Sequence, residues 1–224
     1  MKKASLFSIL ILLTILVNGQ ANKLSIGIIG SPDYYNYQFK SIPSFDHEYK
    51  TQTNYSLGLS MNYNFSEKFS FKTGLLFSTK GYILNYSWVT AEPNDPLIPQ
   101  ESNIKLSYLG IPLLVSYDFL HLDKLSLFAS TGIVTSFLIK EKEISTMGDG
   151  TEKETEFSKT SFNQNFSTAL FAIDFEIGLK YNLSERLFIS IAPYLRYGLN
   201  KISDEVLESN PMAYGARFGV HFNL

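Results

Sequence analysis

The final strand-length stretch of the chain alternates with a period of two almost without a break. Met212, Tyr214, Ala216, Phe218, Val220, Phe222 and Leu224 fall on one side, and Ala213, Gly215, Arg217, Gly219, His221 and Asn223 on the other. Successive side chains of a β-strand point to opposite faces, so this segment has one apolar face and one small, polar or charged face. A water-soluble barrel turns its apolar face inward. Here the small and charged set fits a crowded interior, while the aromatic and branched set fits hydrocarbon. The pattern predicts a strand of a membrane-spanning barrel.

The start of the chain agrees. Lys2 and Lys3 precede an apolar run from Ala4 to Val17, followed by Asn18-Gly19-Gln20, with Val17 and Gly19 small enough for a cleavage site. Residues 1–19 are expected to be a signal peptide and 20–224 the barrel domain. The run is shorter than the ~20 apolar residues that a spanning helix needs.

Seven earlier segments alternate similarly: Leu24–Ser31, Tyr55–Phe65, Phe69–Ser78, Tyr108–Phe119, Leu125–Phe137, Phe171–Lys180 and Leu187–Gly198. The fifth fits least well, because Phe128 and Val134 fall on its inner face. Tyr63-Asn64-Phe65-Ser66-Glu67-Lys68-Phe69 returns as Tyr181-Asn182-Leu183-Ser184-Glu185-Arg186-Leu187, and more loosely at Tyr117–Leu125. Each reads as a short hairpin turn. Between them lie longer stretches rich in turn residues, roughly Pro32–Gln52, Ser87–Ser102, Lys140–Asn163 and Lys201–Asn210. Three short turns and four long loops give an all-β, eight-stranded antiparallel up-and-down barrel with both termini on the short-turn, periplasmic side. An interior of that size is only just wide enough for side chains, so no open pore is expected. Pro112 and Pro193 lie inside strands, where each removes a ladder donor, and are expected at a bulge or near the rim.

Inward-facing ionisable residues are Lys72, Asp118, Asp174, Glu176, Lys180, Arg196, Arg217 and His221. Unpaired charges there would be costly, so they should neutralise one another, with Glu176 or Asp174 paired to Arg196. A structural salt-bridge network is the plain reading; a proton or ion path is the sharper one. Ser44-Phe45-Asp46-His47-Glu48 brings serine, acid and histidine together, but in a stretch that reads first as a solvated loop. His121 reads as a turn residue and His221 as interior filling, with His47 across the membrane from both. Glu141–Lys159 reads as a mobile charged loop, with a calcium or partner site as the alternative.

The chain contains no cysteine, which excludes disulfides, thiolate metal sites, cysteine nucleophiles and a lipidated N-terminal cysteine. Its formal charge of −2 leaves no nucleic-acid footprint. Neither histidine spacing nor a glycine-rich phosphate loop implies a metal or cofactor. These absences point away from an enzyme.

Tyr108-Leu109-Gly110-Ile111-Pro112-Leu113-Leu114, the signal ending Gly19-Gln20 and the closing Gly219-Val220-His221-Phe222 resemble the PorT-like outer-membrane β-barrel family of Gram-negative bacteria. The resemblance extends over about residues 22–224, although members often carry Glu where this chain has Gly110. It implies the cell outer membrane, a barrel fold and, through the protein that names the family, a link to a secretion apparatus. Expected partners are outer-membrane lipid, the barrel-assembly machinery during insertion, with Phe222 standing in for a terminal aromatic, and possible secretion-complex subunits. The leading expectation is a non-enzymatic structural or surface-interaction protein. The alternatives are an accessory component of a secretion or transport complex, a secreted lipocalin-like ligand-binding barrel, and a rim hydrolase.

Overall fold

The computed structural model describes residues 24–40, 46–87, 98–157, 166–204 and 207–224; the expected signal peptide lies outside them. The strands are β1 (Leu24–Asn36), β2 (Asp46–Thr51), β3 (Thr53–Asn64), β4 (Phe69–Ser87), β5 (Pro99–His121), β6 (Leu125–Met147), β7 (Glu152–Phe157), β8 (Ala169–Asn182), β9 (Leu187–Gly198) and β10 (Met212–Asn223). Antiparallel ladders run β1–β3–β4–β5–β6–β8–β9–β10 and back to β1, closing an eight-stave meander. Closure removes every free edge from the barrel wall, which hydrocarbon demands of a β-structure. β2 continues β3 beyond Gln52 against the far half of β4, and β7 pairs with the far half of β6.

The repeated turn sequence folds the same way twice. Ser66 Oγ accepts the N–H groups of Lys68 and Phe69 at 3.3 and 3.0 Å, and Ser184 Oγ accepts those of Arg186 and Leu187 at 3.3 and 3.1 Å. At this same end the Leu224 N–H donates to the Leu24 carbonyl at 2.9 Å, so the first and last strands meet on the short-turn side.

The other end departs from expectation. Much of what reads as loop is strand: β1 continues to Asn36, β4 to Ser87, β5 begins at Pro99 and β6 continues to Met147. β2, β4, β5, β6 and β7 thus form a five-stranded wing beyond the barrel on one side. The Lys140–Asn163 stretch is a hairpin as far as Phe157, not a mobile loop. Its turn uses Gly150 at φ 82°, a left-handed conformation suited to glycine. Asp149 Oδ1 accepts the N–H and hydroxyl of Thr151 at 2.9 and 2.6 Å.

The two prolines occupy neither a bulge nor the rim. Pro112 pairs with Val134 on one side, while the β4–β5 register skips from Thr73↔Leu113 to Leu76↔Gly110 on the other. Pro193 pairs with Ala216, and the β8–β9 register skips from Glu176↔Tyr194 to Leu179↔Ile191. In each case the donor lost to proline falls in a mid-wall gap of one ladder, and the strand stays in register.

The apolar faces point outward. Leu59 is 60% exposed, Phe218 51% and Ile191 40%, whereas Glu176 and Arg196 are 3% and 5% exposed. A lipocalin-like barrel would have the reverse arrangement, so that alternative fails. Exposed aromatics ring both ends: Tyr34, Tyr55, Phe137, Phe171, Tyr197 and Tyr214 toward the wing, and Phe65, Phe69, Tyr117, Phe119, Tyr181 and Phe222 toward the turns. The outward run from Leu187 to Tyr197, at about 3.3 Å per residue and a tilt of about 40°, spans about 25 Å, the height of an outer-membrane apolar band.

Candidate functional site: the filled barrel axis

The inner faces are rich in glycine and serine, which leaves room for long charged side chains to cross the lumen. Lys72 (β4), Asp174 and Glu176 (β8), Arg196 (β9) and Arg217 (β10) meet in one cluster. Asp174 Oδ2 accepts from Arg196 at 2.9 Å and from Arg217 at 3.0 Å. Glu176 accepts from Arg217 at 2.5 Å and from Lys72 at 2.7 Å. Arg217 therefore bridges both carboxylates, and four strands are tied across the axis. The expected partner of Arg196 is Asp174, directly opposite it in the β8–β9 register; Glu176 reaches Lys72 and Arg217 instead.

Aromatic faces complete the cations' environment. The Tyr194 ring lies 5.3 Å from the Arg196 guanidinium and 4.8 Å from that of Arg217, and Lys72 Nζ lies 3.7 Å over Phe128. Ring quadrupoles attract cations at such distances. This gives the inward Phe128 of β6 a polar role as well as a packing one.

Three other predicted residues, Asp118, Lys180 and His221, stand apart from the cluster. Lys180 donates to both oxygens of Asp118, at 2.8 and 2.7 Å, nearer the turn end. His221 makes no ion pair among the described residues. Its ring lies 2.9 Å from Ser190 Oγ, 3.3 Å from Ser60 Oγ and 3.4 Å from Asn62, and it stacks on Phe188 at 4.6 Å. A Cβ on either Gly27 or Gly219 would run into that ring, so the two glycines make its slot. Asp46 and His47 begin β2, whereas Ser44 and Phe45 of that cluster lie outside the described residues. His121 sits at the turn end, 2.8 Å from Ser126 Oγ.

Three buried charges escaped the sequence reading, Glu141 in the wing and two in the barrel strands. Asp33 is fully buried and accepts hydrogen bonds from Ser31 at 2.6 Å, from Tyr194 at 2.5 Å and from Ser56. Lys80 is buried over the Tyr108 ring at 4.5 Å and donates to Ser78 at 2.7 Å. Both continue the inward alternation beyond the boundaries drawn at Pro32 and Ser78; following Ser78, Lys80 and Tyr82 against Thr79, Gly81 and Ile83 would have found the second.

Above the charges, an apolar cap fills the lumen at the wing end. Tyr35, Tyr82, Leu106, Tyr108 and Leu138 of the strands pack with Tyr37, Phe166, Ile202 and Leu207 of the connections. Phe39 stacks on Tyr49 at 4.3 Å beside them. Below the charges, the turn end opens into a polar mouth of about 560 Å3 bordered by Asn62, Lys68, Asp118, His121, Lys180 and Asn223. Between this mouth and the charge cluster sits a chamber of about 50 Å3. That is room for a few waters. The arrangement can hold internal water and balance charge, while its filled axis obstructs bulk flow.

Comparison with known proteins agrees with this architecture. A family model described as an outer membrane protein beta-barrel domain matches residues 18–204. No curated protein matches the chain. Among solved structures, Neisserial surface protein A aligns over 92% of this chain and 100% of its own at 13% identity, with a TM-score of 0.52. OprG from Pseudomonas aeruginosa aligns over 92% and 98% at 14% identity and a TM-score of 0.49. At the first of these levels the likeness is one of fold.

Proposed function

Since this chain belongs to the outer membrane protein β-barrel domain family and resides in the cell outer membrane, we propose that it acts there without catalysing a reaction, as a closed barrel displaying a folded wing to the exterior. The observation that carries this reading is the filled axis: Arg217 ties Asp174 to Glu176 across the lumen, and the Tyr37–Tyr82–Leu106 cap lies above them. The ion network has a structural role, giving each of its ions an opposite partner and fixing the strands around them. The first nineteen residues act as a signal peptide, and insertion uses the barrel-assembly machinery. Surface contacts are made by the wing and its connections. The test is conductance of the protein in planar bilayers. Channels matching a water-filled pore would refute the closed-barrel reading; a baseline like that of protein-free membrane supports it.

A second reading, accessory membership of a PorT-like secretion complex, draws on the Tyr108–Leu114 resemblance and on the polar mouth open toward the periplasm. Cross-linking in native membranes followed by mass spectrometry separates the two. Stoichiometric periplasmic or membrane neighbours favour the complex, and a monomer through gentle solubilisation favours the isolated barrel.

A further inference from the structure

The outward face of the wing carries a local arrangement that folding alone does not favour. Lys105 of β5 lies directly opposite Lys142 of β6, and Lys140 is the next outward residue along β6, opposite Ser107. Like charges facing each other across a ladder are destabilising. Lys140 is held by Glu156 at 2.6 Å and Lys142 by Glu154 at 2.7 Å, both from β7. Lys105 is exposed and has no carboxylate within ion-pair distance among the described residues. Its other neighbour across the ladder is Gly81, over which lies the neutral side chain of Gln52, its amide donating to the Ile104 carbonyl at 3.1 Å. The three lysines and two glutamates leave the patch one positive charge in excess.

Its position supplies the missing anion. Leu109 and Phe137, paired across β5 and β6, end the apolar band on this side of the barrel. Lys105 is four residues beyond Leu109, about 10 Å along the axis. The headgroup layer extends about 5–8 Å beyond the hydrocarbon, and a lysine can lean its ammonium back toward it. We infer that Lys105 and Lys142, with Lys140 beside them, bind the phosphate of an external-leaflet lipid headgroup, docking that lipid where the wing leaves the membrane. The site is continuous with the lipid-facing wall, so the acyl chains of its occupant can lie on Leu109 and Phe137. This assignment rests on the proposed orientation, with the wing outside.

The test uses the full barrel reconstituted into phosphatidylcholine vesicles containing a minor fraction of bisphosphorylated lipid A, with retained lipid counted by native mass spectrometry. At about 1 kcal/mol per lysine near a lipid surface, Lys105→Gln weakens retention about fivefold and the Lys105→Gln/Lys142→Gln pair about thirtyfold. The double arginine variant keeps it, and Lys201→Gln, away from the patch, leaves it unchanged. Equal retention by the double glutamine variant, or equal binding of dephosphorylated lipid A, would overturn the assignment. Displacement by millimolar inorganic phosphate would show a free-anion site in its place. Heat-modifiable migration on gels reports insertion separately: a protein that never inserts refutes the barrel reading itself, and the site falls with it.

Discussion

Asp174→Asn is the most informative single change, because it keeps shape and removes one charge from a buried balance. The cluster of Lys72, Arg196 and Arg217 against Asp174 and Glu176 carries a net +1. The variant raises this to +2 and replaces an anion that takes two guanidinium hydrogen bonds, at 2.9 and 3.0 Å. Hydrogen bonds to charged groups contribute roughly 1.5–3 kcal/mol each, and removing one partner of a buried pair costs roughly 3–5 kcal/mol. Arg217 retains Glu176, Arg196 retains the Tyr194 face, and the amide oxygen can still accept one bond. About 3 kcal/mol is therefore expected. The side chains involved are 0%, 6% and 11% exposed, so solvent screening reduces this little. Equilibrium denaturant unfolding in lipid vesicles, followed by circular dichroism, measures it. Adding Arg196→Met returns the net charge to +1 and should recover part of the loss, with a coupling energy of about 2 kcal/mol. A loss below about 1 kcal/mol, with strictly additive single changes, would refute the view that these ions are held as one balanced unit.

Three further outcomes follow from the same geometry. Phe218→Arg places a charge on the lipid face near mid-wall and should destabilise the inserted barrel by about 2–4 kcal/mol, measured by the same unfolding assay. Pro112→Ala restores a donor at the β4–β5 gap and should stabilise by about 1 kcal/mol, with a slowly exchanging amide at position 112; a fast-exchanging amide would show that the gap has another cause. On the wing, the hydrogen bond and charge of Lys140 hold the Glu156 carboxyl below its ordinary range. A depressed carboxylate contributes its stabilisation above the ordinary glutamate range and loses it as pH falls through the lowered value. Protection factors of β7 amides, corrected for the intrinsic pH dependence of exchange, should thus fall on acidification below that range, and Lys140→Gln should reduce that fall.

The barrel was legible in the chain because every wall strand must separate lipid-facing from lumen-facing residues, and that separation is written residue by residue. Even the misfit of Leu125–Phe137 was informative: Phe128 and Val134 do face inward, where one lies beside Lys72 and the other packs in the lumen. The wing was not legible, because beyond the membrane neither face of a strand meets hydrocarbon. Lys140-Glu141-Lys142-Glu143 alternates outward lysine with inward glutamate, and charge on both faces reads as loop. The candidate site was half visible. Which residues point inward follows from period two, but which ions meet depends on register and shear between strands distant in sequence. Asp174 finds Arg196 by direct pairing, whereas Glu176 meets Lys72 only after the sheet has closed. The proline gaps arise similarly, since a strand can drop one donor on one side and remain in register.

The inside-out orientation can be tested directly because the chain has no cysteine to interfere with labelling. Single cysteines from Ala213 to Asn223 would carry nitroxide labels in reconstituted vesicles, with collision rates measured against membrane-dissolved oxygen. Labels at 214, 218, 220 and 222 should collide often and those at 213, 217, 219 and 221 rarely, with a period of two. A trace shifted by one residue, with 217 and 221 in lipid and 218 and 220 shielded, would contradict the account.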